Sequence, residues 1–173
     1  MTHIQEARLV FDPGALKTLP LTKEIESLLL EDGDLLFNRT NSPELVGKAA
    51  VFHGEAPTSF ASYLIRVRLD PDVAEPNFVN YWINSAWGRL WARHAKTDGV
   101  SQSNINGTKL SLMPLPLPPI EERRIIVERA GRLLEAADRL HARLSQTERD
   151  VELTHQAVLA KTFRGELANG SDA

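Results

Sequence analysis

The chain has 173 residues, a formal net charge of −3 and a hydrophobic share of 42%, enough for one core-forming domain and an appendage. The absence of cysteine excludes disulfides, thiolate metal sites and cysteine nucleophiles. His3, His53, His94, His141 and His155 lack ligand spacing, so no metal is expected. No apolar run approaches the roughly 20 residues that span a membrane, and no charged-then-apolar leader opens the chain, so it reads as a soluble, cytoplasmic protein.

In chain order, Val10-Phe11 reads as the end of a short strand before an Asp12-Pro13-Gly14 turn. Residues 21–30 read as a short helix, with Thr22 as N-cap and Ile25, Leu28 and Leu29 on one face. Asp32-Gly33 is a turn signal, Asp34-Leu35-Leu36-Phe37 a strand, and residues 38–43 a polar loop. The apolar residues 47–52 follow, so the two runs form a β-hairpin or neighbouring strands. Ile65, Val67 and Leu69 alternate with Arg66 and Arg68, the pattern of a half-buried strand, and Asp70-Pro71 ends it.

Between Asn77 and Arg93 the spacing of Phe78, Tyr81, Trp82, Ser85, Gly88 and Leu90 predicts one surface helix with an aromatic inner face. Residues 97–104 read as a loop of small polar residues and 110–117 as an apolar strand. Pro119 then suits a first helical position, and Glu121 and Glu122 lie against the positive end of the helix dipole. Lys161 and Arg164 fall in the last turn, and Gly165 is a left-handed stop. About 46 residues, or about 69 Å of helix, separate these marks, too long for one small domain to bury. Ile126, Ala130, Leu133, Ala137, Leu140 and Leu144 form an apolar heptad seam, continued in mixed character through Thr147, Val151, Thr154, Val158 and Lys161. Gly131 interrupts this helix at about 1 kcal/mol relative to Ala, so packing must override it.

The search for catalytic chemistry finds no phosphate-binding Gly-rich loop, dinucleotide fingerprint or Gly-x-Ser-x-Gly elbow. Pro71-Asp72 reads as a turn after a strand, because no acidic-x-Lys follows it as a nuclease motif requires. Glu121-Glu122 and Asp32/Asp34 serve a helix start and a turn. No catalytic set and no cofactor are expected.

Charge is segregated. Arg89, Arg93, Lys96 and Lys109 meet Asp98 alone between residues 77 and 113, whereas residues 1–35 set Glu6, Asp12, Glu24, Glu26, Glu31, Asp32 and Asp34 against Arg8, Lys17 and Lys23. Residues 38–42 and 101–106 supply groups that read base edges, Arg for guanine and Asn for adenine, with cations nearby for phosphates. The same compositions suit ordinary solvent loops. Trp82, Trp87 and Trp91 read as core and helix packing rather than base stacking.

Three passages, in this order, resemble the DNA-specificity (S) subunit of type I restriction-modification systems. Asp32-Gly33-Asp34-Leu35-Leu36-Phe37-Asn38-Arg39, continued by Val46-Gly47-Lys48-Ala49-Ala50-Val51, is similar to that family's Gly-Asp-[Ile/Leu]-Leu-x-x-Arg strand and loop. Phe78-Val79-Asn80-Tyr81-Trp82 and Ser101-Gln102-Ser103-Asn104-Ile105-Asn106 resemble its helix and following polar loop. Leu115-Pro116-Leu117-Pro118-Pro119-Ile120-Glu121-Glu122-Arg123-Arg124-Ile125-Ile126 and Ala160-Lys161-Thr162-Phe163-Arg164-Gly165-Glu166-Leu167 resemble its Leu-Pro-x-Pro-Pro-x-x-Glu-Gln-x-x-Ile start and Ala-Phe-x-Gly-x-Leu finish. Arg123 stands where Gln is usual. One recognition domain and one helix stand where a complete member has two of each, and the opening Trp-containing segment and first strand are expected to be missing, as in a half-subunit or truncated form.

The resemblance implies an α+β fold: a small mixed target-recognition domain over residues 1–118, a coiled-coil-type spacer helix over 119–165 and a disordered tail over 166–173. It implies non-catalytic, sequence-specific binding of double-stranded DNA, with Arg39, Thr40, Asn41, Lys48, Arg93, Lys96, Gln102, Ser103, Asn104, Asn106 and Lys109 facing it. Ile126, Ala130, Leu133, Ala137, Leu140, Leu144, Val151 and Val158 would pair the helix with another, as in a homodimer. Implied partners are the methyltransferase (M) subunit and, through it, the restriction (R) subunit. The alternative is a protein-only assembly module that pairs with S or M subunits and contacts no DNA.

Overall fold

The structure, a computed structural model, describes residues 4–5, 7–10, 18, 20–54 and 56–166. Its elements run β1 (Ile4–Gln5), β2 (Arg8–Leu9), α1 (Lys23–Glu26), β3 (Leu35–Asn38), β4 (Thr40–Asn41), β5 (Ala49–Val51), β6 (Leu64–Val67), α2 (Pro76–Asn84), α3 (Ala86–Ala95), β7 (Thr97–Asp98), β8 (Ser103–Asn104), α4 (Gly107–Ser111) and α5 (Ile120–Phe163). This is an α+β fold of small antiparallel sheets with a long C-terminal helix. The chain divides into two compact units, Met1–Val127 and Glu128–Ala173, so the boundary falls inside α5.

In the first unit β3 is the central strand of the order β5-β3-β6. Phe37 pairs with Ala49 on one side and Ile65 on the other, and Leu36 with Ala50 and Arg66. Successive side chains of a strand face opposite ways. Leu35 and Phe37 therefore join Val51, Phe78, Val79, Ile83 and Ile105 in one cluster, while Leu36 joins Ile4, Leu30, Ala50, Phe52 and Leu64 in another. Both faces are covered, and Phe37 is fully buried. The alternation predicted for residues 65–69 has a structural use. Ile65, Val67 and Leu69 pack on the first cluster, whereas Arg66 donates to the Leu29 carbonyl at 2.8 Å and lies 5.5 Å over the Phe60 ring. Arg68 binds the buried Asp34 carboxylate at 3.0 Å and Glu31 at 2.6 Å. The outer edge of β5 is closed by a side chain. The Asn84 amide accepts from the Ala49 N–H at 3.3 Å and donates to its carbonyl at 2.9 Å.

Several sequence expectations change. The helix expected over 21–30 is confined to α1, although Thr22 does cap it by accepting from the Ile25 N–H at 3.3 Å. The single helix expected over 77–93 is two helices. Ser85 ends α2 and caps α3: its hydroxyl donates to the Trp82 carbonyl at 2.7 Å and accepts from the Gly88 N–H at 3.3 Å. A Cβ on Gly88 would lie 2.3 Å from the Ile83 carbonyl oxygen, so the break requires glycine there. The break also rotates the aromatic face. Trp91 packs on the core, but Trp87 and Leu90 are exposed, contrary to their expected core role. Residues 107–111 are helical where a strand was expected from 110, because the Asn106 side chain caps α4. Residues 113–119 form no strand and are tied down by the Trp82 indole N–H, which donates to the Pro114 carbonyl at 3.0 Å. Phe11, the turn at 12–14 and the tail at 167–173 lie outside the described residues.

The start of α5 belongs to the first unit. The Pro119 carbonyl accepts from the N–H groups of Glu122 and Arg123 at 3.0 and 3.1 Å. Arg123 is buried and donates to the Val73 carbonyl, while Val127 packs on the first cluster. In the second unit α5 ends in a Schellman motif: Gly165 adopts φ +75°, with Gly165 N–H to Thr162 O and Glu166 N–H to Lys161 O both 3.1 Å. Leu133, Leu140, Leu144, Val151 and Val158 are all exposed. Arg132–Glu128 and Arg139–Glu135 pairs lie along the same helix surface at i,i+4 spacing. No described helix is long and apolar enough to cross a membrane.

Candidate nucleic-acid interface

The two polar segments, residues 38–42 and 101–106, are neighbours in space. A second three-stranded sheet has the order β4-β8-β7. Thr40 pairs with Asn104 and Asn41 with Ser103, and β7 sets Thr97 against Asn104 and Asp98 against Ser103. Residues 97–104, expected as a loop, are thus a hairpin, and residues 40–41 are a strand. The Asn104 amide donates to the Thr40 hydroxyl at 2.6 Å.

Arg39 is the single residue between β3 and β4. Its N–H donates to the Tyr63 carbonyl and its carbonyl accepts from the Ile105 N–H, both at 2.9 Å. Ile105 is wholly buried, so the polar sheet is hung directly from the core. The chain then turns through residues 43–47 and returns as β5. Gly47 makes that return possible: it adopts φ +80°, and a Cβ there would sit 2.6 Å from the Ala92 methyl carbon of α3. Arg89 clamps the same turn, donating to the Val46 and Glu44 carbonyls at 2.9 and 2.8 Å. Burial, and then the neighbouring Arg93, lower the pKa of Arg89.

The β7–β8 hairpin is braced from behind. The Lys96 ammonium meets the Asp98 carboxylate at 2.5 Å, and the Ser103 hydroxyl donates to the same oxygen. These two hydrogen bonds, Lys96 first, hold Asp98 below the usual carboxylate range. The Lys109 ammonium donates to the Ala95 carbonyl at 2.6 Å and the Thr97 hydroxyl at 2.7 Å. At the tip, Gly99 N–H donates to the Gln102 carbonyl at 2.8 Å, leaving Val100, Ser101 and Gln102 exposed.

Of the expected DNA-facing residues, Arg39, Thr40, Asn41, Gln102, Ser103 and Asn104 are gathered on or beside this sheet. Lys48 follows the Gly47 turn, its carbonyl accepting from the Asn38 N–H at 2.8 Å, and Arg93 is exposed in the last turn of α3. Ser103 is buried, Asn106 caps α4 through the Lys109 N–H, and the ammonium groups of Lys96 and Lys109 hold the hairpin. Sequence reading missed the bracing role of Asp98 and the turn-clamping role of Arg89. The signal was a charged pair separated by one residue, Lys96 and Asp98, which places both on one side of an extended segment. Elsewhere in this unit an apolar cavity of about 430 Å³ lies between Leu35, Ile65, Val67, Ile83, Leu110 and Met113, and it offers few polar groups to a ligand. Among the described residues no group of three or more His, Asp or Glu is placed to hold a metal.

No protein-family model matches the chain. It is 32% identical over 148 residues to the type I restriction enzyme StySPI specificity subunit of Salmonella potsdam, covering 84% of this chain and 32% of that protein. It is 32% identical over 147 residues to the EcoKI specificity subunit of Escherichia coli strain K12, covering 83% of this chain and 32% of the other. The EcoBI specificity subunit of Escherichia coli is 27% identical over 122 residues, 70% of this chain and 26% of the other. The chain thus spans about a third of the length of these curated relatives. An alignment covering 84% of the chain takes in all three strands of the second sheet wherever it begins.

Proposed function

Because the chain is a relative of the type I restriction enzyme specificity subunits, we propose that it is a non-catalytic, DNA-reading component of a type I restriction-modification complex. The polar sheet reads a short half-site in double-stranded DNA, and α5 pairs antiparallel with another such helix and sets the distance between half-sites. Methyl transfer and cleavage fall to methyltransferase and restriction subunits, which this chain positions. The observation that carries the reading is the joining of Arg39–Asn41 and Gln102–Asn104 in one small polar sheet fixed to a rigid core. A two-stranded ribbon with an exposed tip has the dimensions to enter a major groove. A rigid scaffold with polar groups at its margin is also how binding residues are ordinarily held.

The seam of α5 supports self-pairing. Leu133, Leu140 and Leu144 are exposed at heptad spacing, and Ala130 and Ala137 on the same seam permit close approach of a second helix. Two copies supply the two domains and two helices of the full family plan.

One observation favours the alternative, an assembly module without DNA contact: the Lys96 and Lys109 ammonium groups are engaged within the protein, which leaves fewer cations for phosphates. A salt series separates the two readings. DNA reading requires binding to duplex DNA that weakens steeply with salt, because phosphate contacts release counterions. Normal pairing with the methyltransferase subunit and no DNA affinity, even in its presence, would establish the assembly module instead. Sedimentation of the purified chain tests the helix. A dimer is expected, and Leu133→Asp with Leu140→Asp shifts it to monomer; a monomeric parent chain rejects self-pairing.

A further inference from the structure

Resting on the DNA-reading role proposed above, we infer that Arg39 anchors a DNA phosphate and does not read a base. Three observations on this residue converge.

The first is its backbone anchorage. The backbone of Arg39 is fixed on both sides, by its N–H on Tyr63 and its carbonyl on Ile105, at the point where the core sheet becomes the polar sheet. The second is its lack of an acceptor. Arg66, Arg68, Arg89 and Arg123 each donate to protein carbonyls or carboxylates. The Arg39 side chain, in contrast, makes no hydrogen bond or ion pair among the described residues, and its Nε, like that of Arg123, is buried without a partner. An arginine that keeps its charge and has no internal acceptor is arranged for an external one. The third is reach. Arg39 is half-buried down to its Nε, so its guanidinium is held close to the protein surface. Base edges lie at the floor of a groove about 8.5 Å deep, whereas phosphates line its rim. A cation on a fixed backbone, buried as far as its Nε, meets the rim. Exposed Gln102, on the hairpin tip, is the residue free to extend further. The guanidinium fork also suits the paired oxygens of a phosphate.

Arg39 therefore sets where the polar sheet sits on the duplex, and the choice of sequence lies with other residues. The test uses the full chain and a pool of duplex DNA of randomised sequence. Wild-type protein is carried through rounds of selection, and the enriched and unselected pools are titrated across a salt series. Arg39→Gln is expected to enrich the same motif as wild type and to weaken binding to both pools by the same factor, roughly tenfold. Its salt slope should be shallower by about one unit. Arg39→Lys, which keeps the charge but loses the fork, should restore the slope and part of the affinity, and it serves as the reading if Arg39→Gln fails to fold. A motif changed at one position, with unselected binding untouched, makes Arg39 a base reader and overturns the inference. So does unchanged binding to both pools. Failure of the wild-type chain to bind either pool instead removes the DNA-reading role itself, and this inference with it.

Discussion

β3 and β4 are separated by Arg39 alone, yet they enter sheets of opposite character. The β5-β3-β6 sheet is covered on both faces, with Leu35, Phe37, Ala49 and Ala50 almost entirely out of water. The β4-β8-β7 sheet consists of two-residue strands and holds together through Thr40–Asn104, Ser103–Asp98 and Lys109–Thr97 side-chain contacts. Strands so short bury little and do not stand alone in water. The polar sheet therefore borrows its position from the core, through Arg39 and Ile105, and its polar side chains fix only its local shape.

Substitutions can break or sharpen this contrast. Phe37→Ala should have the largest effect. It empties the centre of the core sheet and should cost roughly 3–5 kcal/mol in chemical denaturation, taking the polar sheet with it. Gly47→Ala combines a left-handed backbone with a methyl 2.6 Å from Ala92 Cβ, and should cost roughly 2–4 kcal/mol by the same measurement. Asn84→Ala uncaps the Ala49 N–H and carbonyl and should cost roughly 1–3 kcal/mol. Asn104→Ala should lower stability by only about 1 kcal/mol while reducing DNA affinity more than any of these changes reduces it per unit of stability lost. If Asn104→Ala unfolded the protein as Phe37→Ala does, the division between the two sheets would not hold.

The smallest effect concerns pH. The Asp98 carboxyl is lowered in the folded protein by Lys96 and then Ser103, so its bracing is present above the ordinary carboxylate pKa and is lost as pH falls through the lowered value. The Ser103 amide resonance should shift only on acidification below the usual carboxylate range, and Asp98→Asn should remove that step. A step near neutrality would show that another group controls the hairpin.

The core sheet was legible in the sequence, because burial imposes period two on Ile65, Val67 and Leu69 and an unbroken apolar run on residues 35–37. So were the ends of α5, since Pro119 and Gly165 act through local backbone geometry. The polar sheet was not legible. Two-residue strands carry no period, and Thr40 finds Asn104 only through tertiary structure. The α2–α3 break was hidden for a different reason: Ser85 sits in phase with the apolar spacing, and its hydroxyl redirects the backbone without disturbing that pattern. Likewise the composition of residues 101–106 named donors and acceptors but did not reveal that Ser103 is buried and Asn106 is a cap.

The pairing of Thr40 with Asn104 closes a separation of 64 residues. Contacts so distant in sequence bear their loop-closure entropy before they return any stabilisation, and so they form late in folding. The β3–β5 hairpin, in contrast, joins near neighbours and can assemble early. A newly made chain should therefore pass through a stage with its first hairpin in place and its polar sheet still open. Pulse-labelled hydrogen exchange during refolding should find the Asn38 amide, which donates to the Lys48 carbonyl, protected before the Ile105 amide, which donates to the Arg39 carbonyl. During that interval the protein holds the beginnings of a core, while the sheet proposed to read DNA is not yet assembled.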